Sequence, residues 1–147
     1  MEKKLELFKG LFQPFTNLSV FFINNHTDFI ESTLEEVVKN HEGKLNKINF
    51  IEEKYLKLNH YMREFEYIVL GDIISKYEKK ELLLQKCYRA LENSANIIIL
   101  EKKTNNNLDE IRELLDKTSF VAINSIELFD DYKLITAKKL HMWGSGL

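Results

Sequence analysis

Five glycines and one proline punctuate 147 residues, and that scarcity constrains the fold more than any other feature of the chain. Sandwiches and barrels of short strands need Gly, Pro, Asn or Asp at nearly every corner. With so few breakers the chain reads as a handful of long segments. Gly10 and Pro14 bracket a short opening stretch, Met1 to Lys9, whose Leu5 and Phe8 share one helical side. Pro14 suits the first turn of a helix, where its missing N–H costs nothing. That helix is expected to run to Asn40, with Gly43 available for a left-handed C-terminal residue.

Apolar spacing then suggests three further helices. Ile48, Ile51, Tyr55, Leu58, Met62, Phe65 and Val69 recur at steps of three and four, the pattern of a bundle seam or coiled coil. Ile73 and Tyr77 continue it past Gly71. A third helix is expected from Lys80 to Lys102 on Leu84, Tyr88, Leu91, Ala95, Ile98 and Ile99. Asn105 to Asn107 make a turn, and Asn107 with Glu110 resembles an N-terminal cap. A fourth helix runs from Leu108 toward Met142. The expected fold class is all-α: an antiparallel four-helix bundle over 14–142, with an appendage at 1–13 and a frayed tail at 143–147, in a single domain 1–147.

Charge and cysteine usage narrow the function classes. Lysine and arginine number 21 against 23 acids, a formal charge of -2, so no broad field draws the chain to nucleic acid or anionic lipid. The basic groups near Lys76 to Arg89 and Lys133 to Lys139 are interleaved with acids, which makes nucleic acid an unfavoured partner. One cysteine, Cys87, excludes an internal disulfide framework. Neither a signal peptide nor an apolar stretch of about 20 residues is present, so a cytoplasmic chain without a membrane partner is expected.

Chemistry-bearing motifs are few. His60 and Glu64, four apart, would share a helix face and offer two ligands to one ion, with His26 on the preceding helix as a third. This partly resembles hemerythrin, whose second helix carries a His-x-x-x-Glu pair and whose first carries a histidine. The third helix here has no histidine, which leaves a di-iron centre short of ligands. No Glu-x-x-His occurs for a ferritin-like site. Gly-x-Ser-x-Gly, Walker and Gly-x-Gly-x-x-Gly segments are absent too. No catalytic residue, metal or cofactor is assigned on these grounds; His26, His60 and Glu64 stand as the alternative metal set.

The unusual feature is apolar excess. Val20 to Ile23 and Ile97 to Leu100 are apolar on all sides if helical, more than one bundle face can cover. Phe21, Phe22, Ile97 and Ile98 are therefore the expected contact anchors of a non-enzymatic interaction or regulatory module that forms a homodimer or grips a partner helix. A ligand-sensing or metal-binding bundle is the alternative, and a nucleic-acid-associated accessory a further one.

Overall fold

A computed structural model describes residues 1–52, 58–59 and 61–140. The chain is not a helical bundle. Among the described residues the elements run α1 (Glu2–Lys9), β1 (Ser19–Asn24), α2 (Glu31–Asn40), β2 (Lys44–Asn49), β3 (Phe65–Gly71), α3 (Lys80–Ala90), β4 (Leu91–Lys102), α4 (Leu108–Lys117), β5 (Phe120–Ile126) and β6 (Tyr132–Lys139). The six strands form one mixed sheet in the order β2-β1-β3-β4-β6-β5. β2, β1, β3 and β4 run parallel, while β6 lies antiparallel to both β4 and β5.

The two apolar runs explain why the all-α expectation fails. A short unbroken apolar run fits a helix buried on every side and a strand buried on both faces equally well, because neither pattern shows a period. Val20 to Ile23 form β1 and Ile97 to Leu100 form the second half of β4, each at 0–1% exposure. Covered parallel strands carry such runs, and their Val, Ile and Phe side chains favour the pleated backbone.

Alternation along each strand builds two cores. Phe21, Ile23, Ile68, Leu70, Ile97 and Ile99 pack with Leu83, Leu84 and Cys87 of α3 and with Ile111 and Leu115 of α4. Val20, Phe22, Tyr67, Val69, Ile98 and Leu100 face the other way, against Leu34, Val37 and Val38 of α2 and Phe8 of α1. Three layers result, helices on both faces of a sheet. Each fully buried Ile or Phe contributes roughly 1.5–3 kcal/mol.

Several expected helices are half right. The first contributes only its last third, as α2, and the third splits at Ala90 into α3 and β4. The Ile48–Val69 seam is absent: Ile48 lies in β2, Ile51 and Met62 are 75% and 55% exposed, and Phe65 and Val69 lie in β3. Tyr55 of that seam lies outside the described residues. Glu42, not Gly43, takes the left-handed backbone after α2 at φ 53°. Gly43 is required for proximity instead, since a Cβ there would sit 1.9 Å from the Leu18 carbonyl oxygen. No helix among the described residues is long and apolar enough to cross a membrane.

Candidate functional site at the strand-order reversal

From β1 the chain steps outward to β2 in one direction and, through β3, to β4 in the other. Open α/β sheets carry their ligand crevice outside the carboxyl ends of the strands at such a reversal of strand order. Here those ends are Asn24 to Asp28, Asn49 with Phe50, and Gly71 with Asp72.

The β1 turn is organised by Asn24, which is buried. Its Oδ1 accepts from the Thr27 amide at 2.8 Å and the Thr27 hydroxyl at 2.7 Å, closing an Asx-type turn. Its Nδ2 donates to Asp28 Oδ1 and, at 3.2 Å, to Asn49 Oδ1 at the end of β2. Asn25 spans the crevice floor: its amide donates to the Gly71 carbonyl at 3.0 Å and its Nδ2 to the Asp72 carbonyl at 2.9 Å. His26 takes a left-handed backbone at φ 61° and its side chain is exposed. Dinucleotide-binding turns place glycine where backbone and ligand approach closely; between Gly10 and Gly43 this chain has none.

Opposite that turn, Asp72 is 1% exposed with φ 60°. Its Oδ1 accepts from the Lys102 amide and from Asn105 Nδ2, both at 3.2 Å. Asn105 Nδ2 also reaches Glu101 Oε1 at 3.0 Å, and Asn107 Nδ2 donates to the same oxygen at 3.0 Å. Burial pushes the Glu101 carboxyl above the usual range; Asn107, Asn105 and Ser75 oppose that rise and the Asp72 charge adds to it. Tyr132 leans over from β6, its hydroxyl donating to the His26 carbonyl at 3.4 Å. Burial, then the charges of Asp72 and Asp131, push its phenol up. On the β2 side, half-buried Phe50 packs its ring 5.9 Å from that of Tyr77, and Asn49 is exposed.

The residues singled out from sequence fall elsewhere. Phe21, Phe22, Ile97 and Ile98 are 0–1% exposed inside the chain's own sheet, so the apolar excess is covered without a second molecule. His26 follows the carboxyl end of β1, whereas Glu64 precedes the amino end of parallel β3, so the length of the sheet separates them. His60 lies outside the described residues, and among those described no three His, Cys, Asp or Glu side chains group around a metal position. A cavity of about 410 Å³, lined by Gln85, Tyr88, Thr118, Ser119 and Leu140, lies at the other end of the sheet, where β4 begins and β6 finishes. The missed residues had a signal: each apolar run stops abruptly in polar residues, Val20–Ile23 in Asn24-Asn25-His26-Thr27-Asp28 and Ile68–Leu70 in Gly71-Asp72.

No protein-family model matches the sequence, and neither does any curated protein. Solved structures do match. A SAM-dependent methyltransferase from Aquifex aeolicus superposes with a TM-score of 0.75 at 14% identity, over 92% of this chain and 89% of that one. A SAM-dependent O-methyltransferase from Thermotoga maritima gives 0.69 at 11% identity, covering 94% and 65%. A 16S rRNA methyltransferase from T. thermophilus, solved with AdoMet and guanosine, gives 0.66 at 11% identity over 94% of this chain and 39% of that one. The chain thus spans nearly the whole of the first structure and well under half of the last. The fold is that of these α/β enzymes. With it go the expectation of a non-enzymatic helical module and its bundle-based alternatives, metal-binding and nucleic-acid accessory, all of which presupposed a helical bundle.

Proposed function

We propose that this chain is an S-adenosylmethionine-dependent methyltransferase whose cofactor occupies the crevice between the carboxyl ends of β1 and β3. The observation that carries the proposal is the likeness to a methyltransferase that is nearly coextensive with it, 92% of one chain on 89% of the other. The donor set at the crevice supports it. Exposed Asn49 and Asp28 offer an amide and a carboxylate for the two ribose hydroxyls. The Phe50 ring, braced by Tyr77, offers a face to a purine. Asp72, buried at the end of β3, would add a favourable negative field for a sulfonium cation bound nearby. The turn carries His26 and no glycine, a departure from glycine-bearing dinucleotide-binding turns. When bound, the cofactor supplies a methyl group on positively charged sulfur for transfer to a nucleophile.

The chain's own contribution is positioning. Asn24 ties the turn to β2 and Asn25 ties it to β3, so the two lips of the crevice are held at fixed separation before any ligand arrives. Calorimetric titration with S-adenosylmethionine and S-adenosylhomocysteine tests the reading. Saturable binding of both is expected, weakened about tenfold by Asn49→Ala, equivalent to about 1.4 kcal/mol. Absence of heat with either ligand at millimolar concentration, from folded protein, contradicts it.

A further inference from the structure

Beside the crevice, two buried oxygens lack partners: Glu101 Oε2 and Asn107 Oδ1. They belong to side chains already joined by one bond, Asn107 Nδ2 donating to Glu101 Oε1 at 3.0 Å. Both leftover atoms are acceptors, so neither can satisfy the other unless the carboxyl carries a proton. An unpaired buried acceptor costs about 1–3 kcal/mol, and here one hydrogen serves both.

We infer that Glu101 is held as the neutral acid, its Oε2–H donating to Asn107 Oδ1 while Asn107 Nδ2 donates to Oε1, so that the end of β4 is clamped to the start of α4 by a proton-dependent pair of hydrogen bonds. The clamp reaches the crevice through Asn105, whose Nδ2 contacts both Glu101 Oε1 and Asp72 Oδ1. Ionising Glu101 would put a second buried negative charge next to Asp72 and leave both Glu101 Oε2 and Asn107 Oδ1 without a donor. The pH response of the β3 and β4 ends is thereby assigned to one residue, independently of which ligand the crevice takes.

The surroundings agree. Glu101 is 0% exposed, and burial is the largest influence on its carboxyl, ahead of the Asn107 and Asn105 amides and of nearby Ser75, whose Oγ accepts from Asn105 Nδ2 at 3.3 Å, all of which favour the charged form. Asp72 faces it from β3 and also disfavours the charge. Lys133, its register partner on β6, makes no ion pair with it. Lys103, on the same turn, is paired with Glu127, and Asp109 and Glu110 at the start of α4 are exposed. The sign follows from linkage. A carboxyl whose folded pKa is raised contributes stability that is complete at acid pH and lost as pH climbs through the folded value.

Infrared spectroscopy of the full chain at neutral pH should show a protonated-carboxyl C=O band that Glu101→Gln removes. Glutamine keeps the ring, its amide donating to Asn107 Oδ1 and its oxygen accepting from Nδ2. Wild-type Tm should therefore fall by about 2–4 °C or more across the titration, while the Glu101→Gln protein shows no such fall. Carbon-13 carboxyl NMR of the glutamate-labelled wild type reads the same proton without any variant. If every glutamate carboxyl is ionised at pH 7, a bridging water satisfies the two oxygens instead and the inference is overturned. It is overturned equally if Glu101→Gln shows the same alkaline loss as wild type.

Discussion

Thr27 Oγ1 occupies the space that a side chain on Gly71 would need: a Cβ built there would lie 2.0 Å from it. Thr27 lies in the loop after β1 and Gly71 ends β3, and their contact sets how near that loop stands to β3. Gly71→Ala should therefore destabilise the protein by about 1–3 kcal/mol through overpacking. Phe22 Cε1, 3.2 Å from the same point, blocks relief on the other side. Urea unfolding of Gly71→Ala, alone and with Thr27→Ala, checks it. The double variant should regain part of the loss, and strict additivity would mean that the contact does not set the spacing.

His26 holds φ 61° without being glycine, a conformation that costs an ordinary L-residue about 1–2 kcal/mol. His26→Gly should leave stability unchanged or raise it by up to about 1 kcal/mol, and His26→Val should lower it by about 1–2 kcal/mol. Under the proposed function, His26→Gly should also bind S-adenosylmethionine more tightly, because it clears the backbone of the turn. Thermal unfolding and the calorimetric titration read the two effects separately.

Cys87 sits fully buried under α3 and its thiol is pushed up to about 12 by that burial. At pH 7 to 9 it should remain a neutral thiol and resist aromatic disulfide reagents in the native state. Labelling should appear only in denaturant, with a midpoint matching that of unfolding. Rapid native labelling would place the thiol at an open surface and contradict the packing of α3.

Part of this architecture was legible in the sequence and part was not. The helix end near Asn40 and the Asn105–Asn107 turn emerge from breakers and the helix start near Lys80 from the apolar stripe; Asn107 does hold the N-cap position of α4, but its side chain bonds Glu101 instead of capping the helix. The strands did not, for a physical reason. β1 and the second half of β4 are buried on both faces and lose the alternation that would announce them. Leu84 and Tyr88 of α3 happen to stay in helical step with Leu91 and Ala95 of β4 across the Ala90–Leu91 boundary, so one long helix was the natural reading. Few glycines proved compatible with many turns, because non-glycine residues at positive φ, among them Asn17, Glu42, Asp72 and Asn106, make the corners. The site was hidden similarly. Its residues are asparagines and aspartates at strand ends rather than a glycine-rich fingerprint, and only the strand order brings Asn24, Asn49 and Asp72 together.

The account rests on the crevice between β1 and β3 being the place where S-adenosylmethionine binds, and amide chemical-shift mapping of the nitrogen-15-labelled chain tests that most directly. Titration with the cofactor should move the resonances of Asn25 to Asp28, Asn49, Phe50 and Asp72 together, along one saturation curve. An unchanged spectrum, or shifts confined to Gln85, Tyr88, Thr118 and Ser119 at the other end of the sheet, would contradict it.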